Sequence, residues 1–167
     1  MVGYALMMVF PVAMAFAAAN DLFTMRIPNK ISIVLTTAFV LSALYIRMPL
    51  DQLLTHFAVG AAFLAAGFAM FSMRLLGGGD AKLMAAGALW MGADQAMFYI
   101  AYVTIFGGVL SALILAYRRF VPVADMPLPL WAVKLHARGT GVPYGIAIAA
   151  AGLLIYPATI WYQALQS

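Results

Sequence analysis

Five carboxylates, all aspartate, and no cysteine set the chemistry open to this 167-residue chain. Without thiols there is no thiol nucleophile, no disulfide and no thiolate metal site. The two histidines, His56 and His136, stand far apart with no ligand-spaced partners, so both are expected to be solvated and no metal site is expected. What remains is carboxylate chemistry. Two aspartates stand out by their neighbours: Asp21 in Asn20-Asp-Leu-Phe-Thr-Met-Arg-Ile-Pro-Asn29, and Asp80 in Leu76-Gly-Gly-Gly-Asp-Ala-Lys82. Two carboxylates on neighbouring helices can share one water. Close approach stops both from ionising together, so the pair holds one proton between them. The charged member then acts as general base on water, while the protonated member hydrogen-bonds a scissile carbonyl and stabilises the developing oxyanion. That is peptide hydrolysis with no metal, no cofactor and no covalent intermediate.

The neighbours suit such a site. Gly77, Gly78 and Gly79 let the backbone turn tightly and approach another backbone, which an extended peptide beside the aspartates requires. Lys82, two residues past Asp80, can bias the charge of the pair or hold a carbonyl. Every one of these residues also has an ordinary structural role. Asp80 can serve as the N-cap of a helix, the glycines as a linker, and Asp21 as a solvated loop acid beside Arg26. Pro28 and Asn29 can simply begin a helix, and Arg26 and Lys82 can be charges that set topology.

The elements that must position these residues are membrane helices. The chain is 66% hydrophobic and 8% charged, with a mean hydropathy of +1.02. A soluble domain carries about 25% charged residues, so lipid is the natural solvent here. Apolar runs separate at charges, prolines and glycine clusters into six spans near 2–20, 31–46, 53–73, 81–94, 96–117 and 143–163. Spanning segments must satisfy their own backbone, which makes them helices. The expected fold is therefore an all-α membrane protein of about six spans, a single domain over 1–167, with the first helix retained rather than cleaved as a signal peptide.

Loop charge orients it. With the amino terminus outside, eight of the nine lysines and arginines fall on the inner side and Arg47 alone on the outer. The run 81–94 covers only about 21 Å at about 1.5 Å per residue, short of a ~30 Å core. If it did not span, the split would fall to four against five, so it is kept as a span. On this topology Asp51 and Asp94 lie outside, and Asp21, Asp80 and Asp125 lie inside. Asp21 and Asp80 share one face near the hydrocarbon boundary, where acids are costly and mark function. Asp125 sits among prolines in the longest loop, 118–142, a poor place to fix geometry. In that loop Leu130–Arg138 is expected to form a short interfacial helix, with Lys134 and Arg138 on one face. Gly60, Gly67, Gly107 and Gly108 are expected to allow close helix packing.

Taken together, Asp21…Ile27-Pro-Asn29 and Gly77-Gly-Gly-Asp-Ala-Lys82 resemble the two signatures of type IV prepilin peptidases, an Asp followed by Ile-Pro-Asn and a GxGD motif followed by Lys. Val142-Pro-Tyr-Gly-Ile-Ala-Ile-Ala149 resembles that family's third, Pro-x-Gly-containing helix start. The resemblance implies that Asp21 and Asp80 are the catalytic pair. It implies that Gly77, Gly78, Gly79, Lys82, Arg26, Pro28, Asn29, Pro143 and Gly145 shape the site or hold substrate. The substrates implied are prepilins or pseudopilins with a short basic leader, cut at the cytoplasmic face of the inner membrane, with the bilayer as the other partner. The substrate's apolar segment is expected to pack among the helices. Bifunctional members carry a soluble zinc-binding insertion with cysteines and N-methylate the new terminus. This chain has neither the insertion nor the cysteines, so it resembles the minimal peptidase-only branch, like those of tight-adherence (Flp-type) pili or archaeal preflagellins. The net charge of +4 is spread singly between apolar runs and is not expected to bind nucleic acid. Two other classes remain: a non-enzymatic membrane subunit of pilus or secretion assembly, and a small transporter subunit. Transporters place ionisable groups at the midplane and carry inverted repeats, and neither feature is visible here.

Overall fold

The computed structural model describes residues 2–121, 127–137 and 139–166. Asp125, Pro122 and Arg138 lie outside the described residues. Among those described, every regular element is helical: α1 (Val2–Thr24), α2 (Asn29–Tyr45), α3 (Leu50–Ser72), α4 (Gly78–Phe120), α5 (Leu130–His136), α6 (Tyr144–Ile155), a 3₁₀ turn (Tyr156–Ala158) and α7 (Ile160–Gln166). Three of them, α1, α3 and α4, are long and apolar enough to cross a membrane. α2 and the stretch Tyr144–Ala158 are apolar but shorter. Large side chains such as Val12, Phe16, Leu44, Phe68, Met97 and Leu113 stand exposed on the helix faces. On a soluble protein such a belt would be a liability, and lipid is the solvent that suits it.

Three of the six expected runs are bounded differently. The break between the runs 81–94 and 96–117 falls at Gly92 rather than at Asp94-Gln95: its φ of 66° and ψ of −174° are not helical, and α4 is two helical stretches joined across that kink. Only glycine takes that conformation without strain. The run 143–163 is not one helix either. α6 ends at Ile155, and Pro157 sits in the following 3₁₀ turn, where its missing N–H and fixed φ suit a break. The 12 residues of α6 reach about 18 Å at about 1.5 Å per residue. The expected short helix in the long loop is present as α5. It buries Ala132 and Leu135 and leaves Leu130, Trp131 and Val133 exposed.

α3 and α4 pack antiparallel. Small residues set their spacing: a Cβ on Gly67 would lie 2.9 Å from Ala81 Cβ, and one on Gly60 would lie 3.3 Å from Leu89. α4 also packs on α6 and α2, and α1 on α6 and α2. α2 and α3 end with Arg47 and Arg74 in the left-handed region, φ 54° and 59°. Each is closed by a bond from the next residue back to the helix, Met48 N–H to Ala43 and Leu75 N–H to Met70. This is the helix-ending motif that glycine ordinarily occupies.

The bend in α4 is sealed by aromatic side chains. His56 of α3 donates from Nδ1 to the Leu89 carbonyl at 2.7 Å, and Trp161 of α7 donates from Nε1 to the Trp90 carbonyl at 2.7 Å. Phe39 packs edge-on against both Trp90 and Trp161. His56 is thus not solvated. It is 9% exposed, and its ring lies on Gly92, where a Cβ would come within 2.6 Å. His136 is also not free in solvent. It is half-buried at the end of α5, edge-on to the Tyr117 ring at 5.5 Å.

Candidate active site

The opposite end of α4 carries the acids singled out by the sequence. Asp21 lies in the last turns of α1, which runs past it to Thr24 rather than ending there. The chain then reverses through Met25, at φ 58°. Asn20 Nδ2 and Thr24 Oγ1 both donate to the Arg26 carbonyl, at 2.6 and 3.2 Å. That clamp fixes the short return Ile27-Pro28, and Pro28, with φ −62°, starts α2 at Asn29.

Asp80 is not the N-cap of α4. Gly77 holds that position and Asp80 is the third residue of the helix. Its carboxylate turns back on Gly77, whose N–H it faces, in the manner of the return half of a capping box. A Cβ on Gly77 would lie 2.5 Å from Asp80 Oδ2, so a larger residue there would push that carboxylate aside. Gly79 packs on the return from α1, with Ile27 Cβ 3.1 Å and Ile27 carbonyl oxygen 3.2 Å from where its own Cβ would be. This contact brings the start of α4 beside the end of α1.

The third piece is the start of α6. Pro143 is its N-cap, and the Gly145 N–H donates to Asp21 Oδ2 at 2.8 Å, across 124 positions of sequence. The same N–H faces the Asp80 carboxylate, and Asp21 lies near enough for its charge to act on Asp80. A Cβ on Gly145 would sit 2.7 Å from that Asp21 oxygen. Asp21 is 5% exposed. Asp80 Oδ1 is buried with no hydrogen-bond partner. Buried polar atoms in folded proteins are nearly always paired, and an exception marks a place where something else binds or reacts.

The two aspartates line one cleft of about 320 Å³ with Met25, Arg26, Ile27, Gly77, Gly78 and Gly79. Asp80 also borders a second cleft of about 610 Å³, between the end of α3 and the residues before α6, that includes Arg74, Gly141 and Tyr144. Lys82 and Asn29 are not in the aspartate cleft. Lys82 Nζ donates to Asn29 Oδ1 at 2.9 Å, and both face a separate groove between α2, α3 and α4. Asp51 and Asp94 are exposed, Asp51 in the first turn of α3 and Asp94 just past the bend in α4, both away from this end of the molecule.

One contributor was invisible in the sequence except as a topology charge. Arg118, near the end of α4, donates to the carbonyls of Leu135, Thr140 and Gly141 and to Thr140 Oγ1 at 2.7–3.3 Å. It straps down the segment that leads through Pro143 to Gly145. Tyr144 adds a second tie, its hydroxyl 3.3 Å from Ser111 Oγ and its ring on Gly107. Gly107 therefore serves close packing, while Gly108 has open space. No trio of His, Asp or Glu gathers as a metal site among the described residues.

The fold and site define an all-helical membrane protein with two carboxylates converging on one cleft at its helix ends. The chain belongs to the type IV leader peptidase family, whose model matches residues 8–112 and so spans both aspartates. The contact made by Gly145 comes from beyond the matched stretch. No curated protein and no solved structure matches the chain.

Proposed function

We propose that the protein is a membrane-embedded aspartic endopeptidase that removes the leader from prepilin-like or pseudopilin-like substrates. The observation that carries this is the shared cleft: Asp21 and Asp80, from different helices, meet over one cavity with a carboxylate oxygen left unpartnered. A water held between them is deprotonated by the charged carboxylate and attacks the scissile carbonyl. The protonated carboxyl donates to the carbonyl oxygen as negative charge develops on it. The proton taken from water is then passed to the leaving amine, so the pair ends with the single proton it began with. The amino ends of α4 and α6 both point at the pair, and their positive dipole ends favour the developing oxyanion. Gly145 holds Asp21 still, and Gly77, Gly78, Gly79, Arg26 and Pro28 shape the cleft wall.

The topology that goes with this function has about six spans, α4 supplying two across its bend, with the amino terminus outside. The cleft then opens at the cytoplasmic face of the inner membrane, in a single peptidase domain. Family membership and the paired acids favour this over a transporter or an assembly subunit. The test is leader removal from a co-expressed prepilin in membranes, comparing the natural protein with Asp21→Asn, Asp80→Asn and Asp125→Asn at equal accumulation. The first two are expected to lose cleavage by about 10²-fold or more, the size of a general acid–base contribution, and the third to keep it. Cleavage surviving in both of the first two would remove the pair from the mechanism.

A further inference from the structure

The peptidase chemistry proposed above needs Asp21 held still. The Gly145 N–H that holds it at 2.8 Å ends a run of chain that begins at the surface of the molecule. α5, the short helix Leu130–His136, packs against α4 and the end of α1. It turns Ala132 and Leu135 inward. Leu130, Val133 and Lys134 face outward, and Trp131 stands at the edge, its ring edge-on to Phe23 of α1 at 6.4 Å. A helix this short has too few bonds of its own to persist, so its surroundings must hold it.

Its backbone is tied both to α4 and to the chain that follows. The Tyr117 hydroxyl donates to the Ala132 carbonyl at 3.3 Å, and Arg118 Nε donates to the Leu135 carbonyl at 2.7 Å. Thr140 joins the two sets of ties. Its hydroxyl proton is shared between the Lys134 and Ala137 carbonyls, at 2.9 and 2.7 Å, and its oxygen accepts from Arg118 Nη2 at 3.0 Å. These bonds satisfy carbonyls that the end of a helix leaves open. The same Arg118 nitrogen reaches the Thr140 and Gly141 carbonyls. The position of α5 is thereby carried into the segment that runs through Pro143 to Gly145.

The outward face indicates what it meets. Leu130, 81% exposed, and Val133 share it with Lys134. It adjoins Phe23 and Phe120, both exposed, on the two helices whose outer sides already face lipid. The Arg119 guanidinium lies over the Phe120 ring, 5.7 Å from its centre. Apolar side chains beside a tryptophan, with bases at their rim, match the headgroup boundary of a bilayer. The apolar parts enter the acyl layer, and the long basic side chains reach back to the phosphates. We infer that α5 is seated in that boundary through Leu130, Trp131 and Val133, and that Thr140 passes the seat on to Gly145 and so acts as a positioning residue for Asp21. This rests on the peptidase function proposed above and adds what keeps one of its acids in place.

The test places the full chain in nanodiscs of phosphatidylcholine and phosphatidylglycerol and has two arms. In the first, lipids brominated just below the headgroup quench tryptophan emission. Trp90 and Trp161 are fully buried, so quenching is expected in the natural protein and should be lost in Trp131→Phe. In the second, leader removal from a prepilin is followed with kcat and KM separated. Thr140→Val removes the hydroxyl at nearly constant volume and should lower kcat by about tenfold or more with KM unchanged, within the range for a catalytic group displaced by roughly 1 Å. Thr140→Ser, which keeps the hydroxyl, should restore it. Leu130→Ser with Val133→Ser should also lower kcat, and adding Thr140→Val should then cost less than it does alone, as for residues on one path. The inference is overturned if the natural protein and Trp131→Phe are quenched alike, which would take α5 out of the lipid. It is also overturned if Thr140→Val keeps its kcat, if it only lowers the amount of folded protein, or if its loss and that of the serine pair multiply. Failure of the peptidase function looks different: the natural protein cuts no prepilin, or Asp21→Asn cuts as well as it does, while the quenching is as expected.

Discussion

The two ends of the first half of α4 are built on opposite plans. At the Gly92 end two carbonyls at the bend are matched by side-chain donors. His56 and Trp161 cover the Leu89 and Trp90 carbonyls, and Phe39, Trp90 and Trp161 fill the space between them. At the Gly77 end the two acids are gathered with one buried carboxylate oxygen left without a partner, and two clefts border Asp80. Both ends use glycine for close approach, yet one is closed and the other left open. A membrane helix with a well-sealed end can tolerate an unsatisfied one, because unpaired groups are costly only where nothing offsets them. The aromatic end is built for stability, and the glycine end is where the proposed chemistry takes place.

That division can be broken by experiment. The largest separation is expected from Gly145→Ala. The added methyl meets Asp21 Oδ2 at 2.7 Å, and displacement of a catalytic group by roughly 1 Å can cost about 10²-fold in rate. Cleavage assays should show that loss while thermal unfolding in detergent changes little. Gly92→Ala should do the reverse. It forces a side chain to φ +66° against the His56 ring and should lower stability by more than the ~1–3 kcal/mol of a strained backbone position alone, with the specific activity of the folded fraction retained. A mutant at Gly92 that melts normally but cannot cut would merge the two ends.

Smaller effects sharpen the contrast. His56→Ala leaves the Leu89 carbonyl buried and unpaired and should cost about 1–3 kcal/mol in unfolding free energy. Asp80→Asn should leave stability unchanged or raise it, since it removes one of two crowded carboxylates, even as cleavage is lost. Arg118→Lys crosses the boundary between the ends. A lysine cannot reproduce the fork that reaches three carbonyls, so a modest fall in both melting temperature and kcat is expected, the second because Gly145 is no longer held.

Much of the site was legible because its signals are local. A carboxylate at membrane depth, a run of three glycines and a proline before a helix start are read from a few adjacent residues. The acids at Asp21 and Asp80 stood out for that reason, and the helical class followed from apolar runs alone. The misreadings came where distant packing decides. His56 was read as solvated, since nothing near it in sequence announces that Leu89 will need a donor. The ordinary role open to Asp80, the N-cap, goes instead to Gly77, and the Asp80 carboxylate turns back on it from the third position of the helix. Lys82 was read beside the pair, and a position two residues along a helix points about 200° away from it. The break between the two halves of α4 lies at Gly92, two residues before the expected boundary, while the break at Pro157 hid inside continuous hydrophobicity, which reports burial in lipid and not backbone direction.

Composition and local motifs are enough to place this chain in a membrane, to make it helical, and to set two aspartates beside glycine-rich and proline-bearing turns. Each of those follows from the requirement that a segment in lipid satisfy its own backbone and avoid uncompensated charge. The meeting of α1, α4 and α6, the hold of the Gly145 N–H on Asp21 across 124 residues, and the turn of Lys82 to a groove of its own arise from long-range packing. Those choices are made by close packing of small residues between helices, and which surfaces interlock is a property of the whole chain at once.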